Sequence, residues 1–229
     1  IVSRLASIWL RRSRVSAVIL LASAASISTA LTDWERAGTE GASLQSGLRG
    51  FEQNQGQADA NTAFLFRGDG YQLHLESEAS GIELRSWVHD ASPGANALRL
   101  SYLGTHANRI DGVEALAERV HYLVGNRRDE WLTNVPTFAA VRYTELYPGV
   151  DLIVRAREHD VEYTFVVAPG ASPEVVRLAV EGGELLQSDA ALAEITSGDA
   201  GAKLRGLQPR AYQDEDGAVR IVEAELSLA

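Results

Sequence analysis

From Phe51 onward the apolar residues recur at every second position, and few folds are compatible with that period. Successive side chains of an extended strand point to opposite faces, so a period of two marks strands with one face buried. Tyr71, Leu73 and Leu75 alternate with Gln72, His74 and Glu76. Phe64-Leu65-Phe66 precedes them across Gly68-Asp69-Gly70, a combination that reads as a hairpin. Ile82, Leu84 and Ser86 alternate with Glu83 and Arg85, and Leu98, Leu100 and Tyr102 follow the breaker Ser92-Pro93-Gly94. Val161, Tyr163, Phe165 and Val167 face away from Glu162 and Thr164, as Val176, Leu178 and Val180 do from Arg177 and Glu181. A last strand is expected from Ala218 to Leu228, after Asp216-Gly217, a pair that accepts the positive φ of a tight hairpin turn. Tyr147-Pro148-Gly149, Ala168-Pro169-Gly170, Gly182-Gly183 and Ser197-Gly198-Asp199 punctuate the run. Helical character is confined to short turns at 127–131 and 173–175. The pattern predicts an all-β domain over 50–229, an antiparallel β-sandwich-like fold built as one sandwich or two small ones. An internal boundary is expected near 104–117, where Gly104 and Asp111-Gly112 interrupt the alternation.

Residues 1–30 are of another kind. Arg4, Arg11, Arg12 and Arg14 are their only charges, an apolar run from Val15 to Leu21 follows, and small residues lead to Ser28-Thr29-Ala30. A basic start, a short apolar stretch and small residues at the −3 and −1 positions describe a helical secretory signal peptide cleaved after Ala30. The apolar run falls short of the roughly 18 residues a membrane span needs. Residues 31–49 are small and polar without periodicity and read as a flexible linker. The mature chain is therefore expected outside the cytoplasm, extracellular or at the cell surface.

Composition removes whole classes of function. The chain has 229 residues, 45% of them hydrophobic and 23% charged, which is enough for a sizeable core. With no cysteine there is no disulfide frame, thiolate zinc site, iron–sulfur cluster or cysteine nucleophile. The net charge is −10, and loss of the four N-terminal arginines takes it to −14. An acidic chain of this kind argues against nucleic acid as a partner and against an anionic membrane once the signal is gone.

Among the five histidines no two stand three or four apart, so a helical metal pair is excluded and neither a metal nor a cofactor is expected. His74 falls on the polar face of its strand, where a solvated ring is expected. Glu158-His159-Asp160 and Asp214-Glu215-Asp216-Gly217 read as solvated turns, since neither has the spacing that converges ligands on a cation. No serine occupies a nucleophile elbow, and no glycine-rich loop leads from a strand into a helix. The densest region runs from His121 to Phe165 and holds Tyr122, Trp131, Phe138, Tyr143, Tyr147 and Tyr163. Such rings form either a platform for sugars or a core, and their phase with aliphatic neighbours favours the core. The binding alternative rests on Trp131, Tyr143 and Tyr147, with Asp151 and Glu162 as a carboxylate pair for glycoside hydrolysis.

The same region carries a resemblance. His121-Tyr122-Leu123-Val124-Gly125-Asn126 is followed by Trp131-Leu132-Thr133-Asn134-Val135-Pro136-Thr137-Phe138 and by Val141-Arg142-Tyr143. Then come Tyr147-Pro148-Gly149-Val150-Asp151-Leu152, Val161-Glu162-Tyr163-Thr164-Phe165-Val166-Val167 and Ala168-Pro169-Gly170. Phe51-Glu52-Gln53-Asn54-Gln55-Gly56-Gln57 upstream and Pro209-Arg210-Ala211-Tyr212-Gln213 downstream belong to the set. Together they resemble the uncharacterised all-β domain that precedes SBBP-type β-propeller repeats in large exported bacterial proteins. Val154-Arg155 stands where that family tends to have aromatics, and Thr164 where it tends to have an acid. The resemblance implies a surface module without assigned activity, whose partner is the run of propeller repeats downstream in the same polypeptide. A non-enzymatic structural or adhesive role follows, with surface glycan or protein as its contact. A carbohydrate-binding or carbohydrate-active domain is the alternative.

Overall fold

The computed structural model describes residues 4–10, 17–24, 50–68, 71–77, 81–86, 97–105, 109–157, 161–188, 192–197, 203–215, 218–222 and 224–228. These residues form seventeen strands of one antiparallel sheet, with two single 3-10 turns, Arg128–Glu130 and Pro173–Val175, and no α-helix. Both turns lie where the sequence places its only helical character.

The sheet is organised on one long strand. In chain order the first strands are β1 (Arg4–Leu10), β2 (Ala17–Ala24), β3 (Phe51–Gln53), β4 (Thr62–Gly68), β5 (Tyr71–Glu76), β6 (Gly81–Ser86) and β7 (Ala97–Tyr102). Then come β8 (Arg109–Tyr122), β9 (Leu132–Tyr147), β10 (Val150–Ala156), β11 (Val161–Val167) and β12 (Arg177–Glu181). β9 runs for 16 residues and pairs with β8 along one edge, from Leu132 to Thr144. Its other edge is shared: β3 takes Thr137 and Phe138, and β10 takes the stretch from Ala140 to Tyr147. The ladder therefore forks at β9. One branch runs β3–β4–β5–β6–β7–β12 and the other β10–β11.

Both branches curl toward each other into a half-barrel, because their apolar faces have only each other to exclude water. Phe64, Phe66, Leu73, Leu75, Ile82, Leu98 and Leu100 from one branch share a single core with Val141 of β9 and with Leu152, Val154, Tyr163 and Phe165 from the other branch. Tyr102 of β7 joins them, its ring 6.4 Å from that of Tyr143 and 6.3 Å from that of Phe165. The connection from β11 to β12 brings the chain back from the second branch to the edge of the first, where Leu178 pairs with Tyr102. At the β9–β10 turn Gly149 has φ +72, and a Cβ there would sit 2.8 Å from that of Ala171, so only glycine closes it without strain.

The C-terminal strands are β13 (Gly183–Ser188), β14 (Leu192–Ser197), β15 (Lys203–Glu215), β16 (Ala218–Val222) and β17 (Ala224–Leu228). The single strand expected over 218–228 is thus two, because β16 pairs with β15 whereas β17 pairs with β1. β1 lies between β12 and β17, and β2 between β11 and β15. The described parts of residues 1–30 are these two strands. The linker at 31–49 lies outside the described residues.

Phe165 is 1% exposed and meets Tyr102 edge to face across the fork. Phe165→Ala is expected to cost about 3–5 kcal/mol, read as a lowered urea midpoint with an unchanged slope.

Candidate functional site

The residues singled out for sugar chemistry do not meet. Tyr143 is 0% and Tyr147 2% exposed, so neither ring offers a face to a ligand. The Tyr147 hydroxyl donates to the Arg177 carbonyl at 3.0 Å and accepts from the Arg177 N–H at 3.3 Å, joining β9 to β12. Burial pushes its phenol up to about 12 against the opposing influence of Arg177. Burial also raises the Tyr143 phenol, whose oxygen has no hydrogen-bond partner. Trp131 lies at the far end of β9 from both, with Nε1 donating to the Gly125 carbonyl at 3.2 Å.

The two carboxylates are likewise apart. Asp151 stands opposite Val166 and Glu162 opposite Arg155, four residues farther along the same ladder. At about 3.3 Å per residue that is roughly 13 Å, beyond the roughly 5–10 Å over which a carboxylate pair cleaves a glycosidic bond. Each has a local structural task. Asp151 Oδ1 accepts the Glu145 N–H at 2.7 Å, where the backbone turns to φ 51, and its Oδ2 accepts from both Nε and Nη2 of Arg142. Glu162 Oε2 accepts from Arg157 at 2.9 and 2.8 Å. Arg155 reaches across β9 to Glu114 and holds that carboxyl below its ordinary range. Glu158-His159-Asp160 lies outside the described residues, as do Asp216 and Gly217 of the C-terminal acidic turn.

Two polar constructions went unread in the sequence, both starting from Phe51-Glu52-Gln53-Asn54-Gln55-Gly56-Gln57. The first is a closed ring. Glu52, 3% exposed, accepts from Arg67 Nε at 3.2 Å and from the Tyr122 hydroxyl. Arg67 in turn donates to that hydroxyl at 2.8 Å and lies over the Tyr122 ring at 5.5 Å. Burial and the bond to Glu52 push the Tyr122 phenol up to about 12, with Arg67 opposing. The ring fastens the outer half of the β8–β9 hairpin to β3 and β4. Tyr122 lies 70 residues from Glu52 and 55 from Arg67, a separation at which spacing carries no signal.

The second is the loop from Asn54 to Asn61. Asn54 Nδ2 donates to the carbonyls of Ala58 (3.3 Å), Asp59 (2.9 Å) and Thr62 (2.8 Å), and its Oδ1 accepts the N–H groups of Gly56 (3.0 Å) and Ala58 (3.1 Å). Gln57 adds a bond to the Gln53 carbonyl and one from the Gln55 N–H. From this folded loop Asp59 pairs with Arg85 of β6 at 2.8 Å, which carries the loop across the outer face of β5. His74, expected to be solvated on that face, is 4% exposed.

Among the described residues the exposed large aliphatics are Ile221 of β16, Val175 of the second 3-10 turn, and two neighbours at the tip of the β8–β9 hairpin. Leu123 is 57% and Val124 74% exposed, immediately beyond the Tyr122 ring system. At the tip Gly125 turns at φ 78, the Trp131 indole is tied to its carbonyl, and Arg128 lies over the indole at 5.6 Å. Arg127 pairs with Glu130 across the 3-10 turn.

Residues 51–229, from the start of β3 through β17, match the family described as Domain of unknown function (DUF7948). The chain belongs to that family. No curated protein and no solved structure matches it. In this DUF7948 domain the Phe51–Gln57 motif is accounted for by the Glu52 ring and the Asn54 loop, and the Arg142/Asp151 pair of motif residues by the turn at Glu145.

Tyr122→Phe leaves Glu52 buried with one donor fewer and is expected to cost about 1–3 kcal/mol. Asp151→Ala, which also releases a backbone N–H, is expected to lower the unfolding free energy by about 1–2 kcal/mol, read from a lowered urea midpoint. Glu162→Ala is expected to stay within about 0.5 kcal/mol, because its partner is exposed.

Proposed function

We propose that this chain is a non-enzymatic structural or adhesive module of the cell exterior, preceding β-propeller repeats in an exported polypeptide and contacting its partner through the β8–β9 tip. The observation that carries this reading is the pair Leu123 and Val124, held out in water by a rigid turn. Exposed aliphatic side chains on a preorganised tip gain on contact, at about 25 cal/mol per Å² of apolar surface removed from water, and little ordering entropy opposes them. The Glu52–Arg67–Tyr122 ring supplies the stiffness at the base of that tip.

Export and processing after Ala30 remain part of the proposal. Cleavage there takes β1 and β2 away, and the edges of β11 and β12 that they cover then call for another strand or a neighbouring β module. The resemblance to domains that precede propeller repeats supplies such a neighbour. No observation favours the carbohydrate alternative, since Tyr143 and Tyr147 are core residues and Asp151 and Glu162 are engaged apart.

The test expresses the chain with its own leader and follows it by fractionation and N-terminal sequencing. The mature protein is expected to begin near Leu31 and to stay with the cell surface. A Leu123→Ser/Val124→Ser double variant with unchanged circular dichroism is expected to appear in the medium several-fold more. Equal retention of the variant removes the tip from the proposal. Saturable binding to a glycan array, lost in Trp131→Ala with its fold intact, replaces the reading with the carbohydrate one.

A further inference from the structure

His74 is the buried titratable group that neither the core nor the proposed contact uses. It projects from the outer face of β5, 4% exposed, with Nδ1 sharing a 3.2 Å hydrogen bond with Thr62 Oγ1. Its Nε2 is buried and has no hydrogen-bond partner. Every element packed against it brings charge. Glu83 stands directly opposite on β6 with Arg85 two residues on, β4 contributes Arg67, and the loop lays Asp59 across from above. On β5 itself the neighbours are the neutral Gln72 and Glu76, and Glu76 is paired with Arg99 at 2.8 Å.

We propose that His74 is a proton-operated latch on the loop of residues 54–61, holding the loop against β5 when neutral and releasing it when protonated. A neutral imidazole asks for one donor and one acceptor partner, whereas an imidazolium has two N–H donors to satisfy. Thr62 serves Nδ1, but a proton on Nε2 meets no acceptor, and an unpaired buried charge is far costlier than an unpaired neutral atom. Lifting of the loop that Asp59 straps to Arg85 would open the outer face of β5 and let water solvate Nε2. The electrostatics agree with the geometry. Burial lowers the His74 pKa below its ordinary value of 6.5 and Arg85 lowers it further, while Glu83 and Asp59 oppose. The sign follows: because the folded value lies below the unfolded one, the closed loop is fully stable above about pH 6.5 and loses stability as pH falls through and below it. Asp59, held below its ordinary 3.8 by Arg85, stays ionised through that window, so the strap itself is not the trigger.

Linkage makes the latch reciprocal: whatever unhooks the loop must return His74 toward its ordinary titration. The experiment uses the full chain and NMR, reading the His74 ring titration and the exchange rates of the Gly56 and Ala58 amides, corrected for intrinsic pH dependence. Wild type is expected to titrate below 6.5. Between pH 7 and 5 loop exchange rises, by up to about tenfold for each unit of that depression. In His74→Gln the corrected exchange is expected to be flat, and in Asn54→Ala the His74 titration moves up toward 6.5. The proposal is overturned by an ordinary titration in wild type, by an equal rise of loop exchange in His74→Gln, or by an unmoved titration in Asn54→Ala. The last comparison stands alone if His74→Gln does not fold.

Discussion

A buried backbone N–H or C=O has to find a partner, and along the 16 residues of β9 that demand falls on both edges at once. β8 answers it on one side for most of the length. On the other side no single strand does, and β3 and β10 divide the edge between them. The division forks the sheet, and two forked branches with apolar inner faces have one way to exclude water, which is to curl over a common core. The positive φ at Glu145, whose N–H Asp151 accepts, falls where the β9–β10 register shifts.

Polar groups tighten what burial brings together. Glu52, His74 and Glu76 are all at most 4% exposed on faces that alternation assigns to solvent. A charge or ring in such a place is tolerated only when its neighbours satisfy it. Glu52 is satisfied by Arg67 and Tyr122 and Glu76 by Arg99, which makes these pairs fastenings between strands and hairpin. His74 is satisfied at one nitrogen only, which leaves its pairing sensitive to protonation. The same physics gives two carboxylates a mechanical role and leaves the imidazole with a conditional one.

Local elements were legible because their signals are local. The β4–β5 hairpin announces itself by Phe64-Leu65-Phe66, a glycine-flanked turn and the alternation from Tyr71. The β10–β11 hairpin does so by the facing apolar sets of residues 150–155 and 161–167. The two 3-10 turns stand where they were expected. The core role of Tyr143 also follows from phase, since it lies two residues from Val141 on the same buried face. The burial of His74 was not legible, because alternation names a face but not what lies across it. A loop knotted by Asn54, within a stretch that sequence offers only as a polar motif, decides that.

Sequence alone determined that the chain from Phe51 is antiparallel β and, for the strands whose alternation it carries, which face is apolar, because a period of two and the turn residues act over a few positions. Tertiary structure decided the fork at β9, the meeting of Tyr102 with Tyr143 and Phe165, the Glu52–Arg67–Tyr122 ring and the separation of Asp151 from Glu162. These depend on which strand edges pair across tens of residues. That choice is made by the burial of the whole apolar surface at once, and no short stretch of sequence encodes it.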